Sequence, residues 1–351
     1  MPQLTKRQSI ILQFIRQNPG SQNKDILDYL KKESGEDFGR VTIVRAIDIL
    51  LRQGLIKRQG SGRNISYSEV ISNQLLRYID VDDYFSRNLD QRTVLYHSFN
   101  FEIFRHLKNL FTKQELEKLD KLNDDYKKRI SNLSPTILKK EIERLTIDLS
   151  WKSSQIEGNT YSLIDTEILI KENKEAQGHE KEEAIMILNH KKALNFIFSK
   201  KNNFLNISIK DLENIHSLLI AELGINKGLR NNLVGITGTN YKPLDNQYQI
   251  KEAVEKSLQV INNIKSPLEK SLIVALMVSY IQPFEDGNKR TSRLLSDAIL
   301  IANGFCPLSF RSVDGSSYKK AMILFYEINN ASLFKKLFIE QFKFSTENYF
   351  L

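Results

Sequence analysis

From Leu272 to Ile281 the chain is almost wholly apolar, and Leu294, Leu295, Ala298, Ile301 and Ala302 then recur at helical spacing. Two core helices therefore hold one polar loop between them. That loop reads Gln282-Pro283-Phe284-Glu285-Asp286-Gly287-Asn288-Lys289-Arg290-Thr291-Ser292-Arg293, and it is dense in groups that hold anions. A Gly287-Asn288-Lys289 step opening a helix leaves successive backbone N–H groups without intrahelical partners, aimed at one point and reinforced by the helix dipole. Arg290 and Arg293, three apart, share a helix face and suit a polyphosphate through their planar guanidinium groups. Asp286 beside them suits a magnesium ion bridging those phosphates. The plainer alternative is a solvated, charged turn.

Pro283, Phe284, Asp286, Gly287, Asn288, Lys289, Arg290 and Arg293 fall in unbroken register on the signature of the Fic family, His-x-Phe-x-(Asp/Glu)-Gly-Asn-(Gly/Lys)-Arg-x-x-Arg, which this loop resembles. The resemblance implies a mainly α fold, a Fic-type helical bundle with a β-hairpin flap. It also implies that the domain binds ATP with Mg2+ and moves part of it, most often AMP, onto a Ser, Thr or Tyr hydroxyl of a target protein. By that resemblance Asp286 holds the metal, Gly287 and Asn288 the β-phosphate region, and Arg290 with Arg293 the outer phosphates, with Lys289 also nucleotide-binding and Gln282, Asp286, Asn288 and Arg290 at catalytic positions.

One departure matters most: the family's leading histidine is Gln282. In the family that histidine takes the proton from the attacking hydroxyl, work that suits an imidazole and not an amide. Nucleotide binding is expected to survive where transfer is lost or altered. Lys289 also occurs in the branch that resembles a toxin kinase and passes the γ-phosphate, which keeps open an active AMP- or phosphoryl-transferase. The third reading is a transcription regulator with a vestigial Fic domain.

Upstream, Leu138, Ile142, Leu145, Leu149 and Ile156 track one helical face, with Ser134-Pro135 as a start signal and Gly158 as a stop, predicting a helix over 135–158. Ser153 and Glu157 lie four apart, one above the other. Ser153, Glu157 and Gly158 resemble the family's inhibitory motif, (Ser/Thr)-x-x-x-Glu-(Gly/Asn), which implies that Glu157 pairs with Arg293 and occupies the space of the γ-phosphate. Residues 228–243, rich in Gly and Asn with a β-prone run from Leu233 to Thr237, read as a hairpin. In position the segment is similar to the family's flap, which implies docking of a target segment along Leu233, Val234, Gly235 and Ile236; Arg230 falls where the family often has arginine.

At the other end, Leu4 to Gln17, Asn23 to Lys32 and Thr42 to Arg52 carry helical spacing, followed by Leu55-Ile56-Lys57-Arg58 and Ile65-Ser66-Tyr67 as two strands around a Gly-rich turn. The arrangement resembles a winged helix-turn-helix. Residues 1–70 hold twelve Lys plus Arg against seven Asp plus Glu, so +5 of the chain's +9 sits in one fifth of its length. Such asymmetry favours double-stranded DNA, with Arg40, Thr42, Arg45 and Arg52 on or beside the third helix and Lys57, Arg58 and Arg63 bordering the wing as phosphate contacts first. The alternative is a protein–protein module, and a homodimer is compatible with it.

These signals divide the chain into a winged helix-turn-helix domain at 1–72, a connector at 73–110 with a helix around Thr93 to Lys108, and a Fic domain at 111–351. Thr112 and Glu115 form a capping-box pair opening a helix. No apolar stretch is long enough to span a membrane and no signal-like N-terminus occurs, so a cytoplasmic protein is expected. A single cysteine, Cys306, excludes an intrachain disulfide and reads as a small apolar residue. His190 and His216 lie inside helical patterns and read as packed or surface residues; neither is expected to replace the missing base.

Overall fold

The computed structural model describes residues 4–34, 39–70 and 73–351, without the side chains of Glu33, Ser34, Arg40 and Arg63. The chain divides into two compact units, one ending at Arg87 and the other beginning at Asn88.

In the first unit, α1 (Lys6–Gln17), α2 (Asn23–Ser34) and α3 (Arg40–Arg52) bring Ile11, Ile15, Leu30, Ile47 and Leu50 into one core. Thr5 caps α1 reciprocally with Gln8: the Gln8 N–H donates to the Thr5 hydroxyl at 3.3 Å and the Thr5 N–H to Gln8 Oε1 at 2.8 Å. Strands β1 (Ser21–Gln22), β2 (Ile56–Gln59) and β3 (Ser66–Glu69) form an antiparallel sheet in the order β1-β3-β2, with Tyr67 opposite both Ser21 and Arg58. The turn between β2 and β3 depends on Gly60. Its φ is +81°, and a Cβ there would lie 2.2 Å from the Asn64 carbonyl oxygen.

This unit extends beyond the core expected from sequence. Tyr78 shares a 3.0 Å hydrogen bond with Ser9 and accepts one from Arg16 on its carbonyl, and the short helix α4 (Val81–Ser86) follows. The expected connector is therefore split between the two units. Its second half is packed into the second unit through buried Phe99, Ile103, Leu107 and Leu110. The helix expected over Thr93 to Lys108 is absent, and only Phe101–Arg105 forms a 3-10 turn.

The second unit contains α5 (Lys113–Asn132), α6 (Pro135–Ile156), α7 (Leu163–Glu172), α8 (Lys181–Ser199), α9 (Ile209–Leu219), α10 (Gln247–Asn263), α11 (Pro267–Ile281), α12 (Asn288–Ala302), α13 (Gly315–Ile328) and α14 (Ser332–Asn348). Thr112 and Glu115 form the capping box of α5, and Ser134 with Pro135 starts α6, both as the sequence predicts. α11 is buried around its whole circumference and pairs along its length with α12. Small polar residues face each other across that contact. The Ser279 hydroxyl donates to Ser292 at 2.9 Å, and Ser271 and Ser296 share a 2.6 Å bond, so the helices approach closely while each hydroxyl is satisfied. Cys306 is buried, and no described helix is long and apolar enough to cross a membrane.

The C-terminal residues fasten α6. Arg144 donates to the Asn348 carbonyl and the Phe350 N–H to Glu141, each at 2.6 Å, while the Tyr349 hydroxyl donates to the buried Asp148 carboxylate at 2.6 Å. Removing that donor leaves Asp148 with Arg311, 3.2 Å away, as its remaining charged partner. Tyr349→Phe is expected to lower stability by about 1–3 kcal/mol, seen as a reduced urea midpoint at unchanged slope.

Candidate functional site

The 282–293 loop starts where α11 ends. Gln282 is its left-handed C-cap, at φ 51° and ψ 60°, and Gly287 is the left-handed N-cap of α12 at φ 77°. A Cβ on Gly287 would meet Ile220 Cγ2 at 3.3 Å in a backbone conformation that side chains already disfavour. Asn288 ties the loop together. Its Oδ1 accepts from the Phe284 N–H at 2.8 Å, and its Nδ2 donates to the Phe284 carbonyl at 2.8 Å and to Gln282 Oε1 at 3.0 Å. The Gln282 amide is held at both ends, because Nε2 also donates to the Ser279 carbonyl at 2.7 Å.

Of the two arginines, Arg293 has no exposed surface. Its Nε donates to Ser153 Oγ at 3.0 Å and its Nη2 to the Ser153 carbonyl at 2.9 Å; the same Nη2 forms an ion pair with Glu157 at 2.9 Å. Lys289 stands 3.7 Å from the other carboxylate oxygen of Glu157. Glu157 itself is the C-cap of α6, and Gly158 follows it at φ +103°. Ser153, Glu157, Lys289 and Arg293 are thus assembled although some 130 positions separate α6 from α12 in the sequence. Burial opposes ionisation of Glu157, but the charges of Arg293 and Lys289 outweigh it and hold its carboxyl below the usual range.

Arg290 is also buried, yet its Nη2 is taken by Asp286 at 2.9 Å, and the Asp286 side chain is two-thirds exposed. One guanidinium nitrogen of each arginine, Nη1, is buried and makes no hydrogen bond among the described residues. An anion with several acceptor oxygens suits such donors. No cluster of three or more His, Cys, Asp or Glu able to hold a metal occurs among the described residues.

The 228–243 segment does not form the expected hairpin. It carries no paired strand, only a turn at 237–238 and an isolated parallel bridge from Lys242 to Ser98. Arg230 gives its N–H to the Pro283 carbonyl at 2.9 Å, Nε to Gln282 O at 2.7 Å, Nη1 to Asn232 O at 2.6 Å and Nη2 to Leu244 O at 2.5 Å. These bonds tie the start of the segment to the 282–283 turn and to Leu244. Leu233 and Gly235 are exposed while Val234 and Ile236 are half-buried, an alternation without a partner strand.

Sequence reasoning missed several residues here. Asn226 and Asn232 donate to the Glu285 carboxylate at 3.1 and 3.0 Å. His216 stacks on Phe284 with centroids 3.6 Å apart and shares a 3.1 Å bond with the Asp286 carbonyl, and burial pushes its imidazole down to about 4. His190 meets Ser153 at 2.9 Å. Nothing in one sequence ties these side chains to the loop, since each arrives from a separate element.

In the first unit Arg45, Arg52, Lys57 and Arg58 are exposed and Thr42 is half-buried; the side chains of Arg40 and Arg63 lie outside the described residues. The exposed face of α3 also carries Val41, Val44, Asp48 and Ile49.

Residues 206–300, which contain this loop, match the Fic/DOC family. Among curated relatives, the chain is similar to the protein adenylyltransferase Fic of Nematostella vectensis, 27% identical over 214 residues that make up 58% of this chain and 48% of that protein. It is similar too to the protein adenylyltransferase fic-1 of Caenorhabditis elegans, 27% identical over 160 residues, 44% of this chain and 31% of the relative. The chain therefore matches less than half the length of either. Among solved structures, Fic-1 (residues 134–508) of C. elegans superposes with a TM-score of 0.55 at 20% identity, covering 67% of this chain and 70% of that one. A Fic domain containing signaling protein of Bacteroides thetaiotaomicron gives 0.55 at 19% identity over 65% of this chain and 94% of its own. The helical fold of the second unit agrees with these likenesses. The segment 206–300 is a Fic/DOC domain, and the curated relatives of the chain are protein adenylyltransferases.

The Glu157–Arg293 pair gives a testable pH dependence. Well above the unfolded pKa of about 4.3 the carboxylate is ionised in folded and unfolded chains alike, so the pair's contribution is complete at neutral pH. Because the folded pKa is depressed, the unfolded chain takes up the proton first on acidification, and the contribution is lost as pH falls through the folded value. Glu157→Gln is therefore expected to be less stable than the native chain at neutral pH by a margin that stays flat down to about pH 5 and closes below about pH 4, in urea titrations across pH.

Proposed function

We propose that this chain is an adenine-nucleotide-binding Fic protein of the adenylyltransferase kind, held in check by Glu157 and impaired in transfer by Gln282. The observation that carries this reading is the 2.9 Å contact of Glu157 with the fully buried Arg293. A carboxylate there takes the charge-assisted donors that a terminal phosphate would use. The N-terminal amides of α12 at Gly287 and Asn288 supply the anion cradle for the inner phosphates, and Lys289, Arg290 and Arg293 the outer ones. Asp286 would hold Mg2+ alongside the phosphates, which supplies charge neutralisation when bound.

Transfer of AMP joins a target's hydroxyl oxygen to the α-phosphorus, breaks the bond to the bridging oxygen and releases pyrophosphate, and the hydroxyl proton has to leave. Gln282 does not take it. An amide has no useful basicity, and its Oε1 is already occupied by Asn288. A missing general base costs about 10²–10⁴-fold in rate while leaving binding intact.

Calorimetry with Mg·ATP is expected to show binding that strengthens in Glu157→Gly and disappears in Arg293→Ala. With labelled ATP and a cell extract, Glu157→Gly is expected to label proteins weakly and Glu157→Gly/Gln282→His more strongly. Failure of ATP to bind Glu157→Gly removes the proposal. Strong labelling by Glu157→Gly alone, carrying either AMP or the γ-phosphate, shows an active transferase instead.

A second element of the proposal is DNA binding by the first unit, supported by Arg45, Arg52, Lys57 and Arg58 lying exposed on α3 and β2 next to a three-stranded sheet, an arrangement like a winged helix-turn-helix. Duplex affinity is expected to fall steeply with salt and to weaken in Lys57→Ala/Arg58→Ala; no salt-dependent binding leaves a protein-docking module.

A further inference from the structure

Arg293 is oriented by two atoms of Ser153, and only one of them has a fixed direction. The Ser153 carbonyl can only accept, and takes Nη2 at 2.9 Å. The hydroxyl has to accept from Arg293 Nε at 3.0 Å, so its own hydrogen needs another acceptor. That acceptor is His190 on α8, whose Nε2 lies 2.9 Å from Ser153 Oγ. His190 in turn has its tautomer fixed from behind: Nδ1 is 2.9 Å from the Met186 carbonyl, which accepts only, so Nδ1 carries the hydrogen and Nε2 is left bare. The imidazole is fully buried, and burial pushes it down to about 3, so it is neutral at physiological pH.

We infer that His190 is a positioning residue for Arg293, acting through Ser153: the chain Met186 carbonyl, His190, Ser153 hydroxyl, Arg293 Nε sets the guanidinium for an anionic ligand whether or not Glu157 is present. The inference rests on the reading of Arg293 as a phosphate-binding group and adds to it. On this account α6 has two opposed effects one helical turn apart. Ser153 builds the grip on the ligand, and Glu157 competes for it. Deleting the whole helix would therefore remove the competitor and damage the site together, whereas Glu157→Gly releases the grip intact.

The chain also has a direction that can be measured. Were Nε2 protonated, both His190 and Arg293 would donate to one serine oxygen, and the serine hydrogen would lose its acceptor. Nitrogen chemical shifts of the native protein's histidines near pH 7 are expected to show one neutral imidazole protonated at Nδ1, lost in His190→Gln; a charged ring or an Nε2-protonated ring at that position overturns the inference without any variant having to fold differently.

Function is tested with Mg·ATP as probe in the full chain carrying Glu157→Gly. His190→Leu, which keeps volume but offers no acceptor, is expected to weaken ATP binding about tenfold. His190→Gln, which can present an oxygen near the Nε2 position, is expected to recover most of that loss. Ser153→Ala and Ser153→Ala/His190→Leu are expected to bind equally weakly, because His190 acts only through the hydroxyl. Thermal unfolding is recorded for each variant, and a purely structural role predicts loss of stability with no rescue by glutamine and additive effects with Ser153→Ala. Undiminished ATP binding by His190→Leu, with Arg293→Ala inactive in binding, overturns the inference alone. Tight ATP binding by Arg293→Ala overturns the site reading and the inference with it.

Discussion

A guanidinium with no solvent exposure governs the second unit. Moving the Arg293 charge out of water is expensive unless hydrogen bonds and an opposite charge meet it. The structure meets it from α6, with the Ser153 hydroxyl and carbonyl and the Glu157 carboxylate. That requirement explains why α6 is fastened so firmly at its far end, where Asn348, Tyr349 and Phe350 bond to Arg144, Asp148 and Glu141. A helix free to leave would strand a charge in the core.

The loop between α11 and α12 is shaped independently of whatever chemistry its first residue performs. Two left-handed residues, Gln282 and Gly287, turn the chain out of one helix and into the next, and Asn288 closes the turn with three hydrogen bonds. The closely spaced serine pairs between the helices fix the platform beneath it. Gln282 has been absorbed into this framework. With both ends of its amide bonded to neighbours, it braces the turn.

The helical signals were legible because they are local. The apolar run from Leu272 to Ile281, the Ser134-Pro135 start and the Thr112–Glu115 box each specify an element with little help from tertiary contacts, and the likeness of the 282–293 loop carried the family. The 228–243 hairpin misled for the converse reason. Its β-prone residues state a preference that pairing has to realise, and no partner strand faces them, while Arg230 ties the segment to the 282–283 turn instead. The Thr93–Lys108 helix did not form either: Phe99, Ile103 and Leu107 have helical spacing and are buried, yet the chain there follows an irregular path with a single 3-10 turn. His190 and His216 carry no local signature. Their roles arise from which carbonyl or ring the fold sets against them, Met186 for one and Phe284 with Asp286 for the other.

The coexistence of Gln282 with an intact Glu157–Arg293 pair has a physical consequence. On the reading proposed above, Glu157 bears on whether an anion reaches Arg293 at all. Competition between Glu157 and a phosphate for one buried guanidinium is a two-state exchange, and its energy is the difference between two charge-assisted contacts of similar strength. Such an exchange changes what the end of α6 holds without requiring a bond to be made or broken. On that reading the exchange needs no catalytic base.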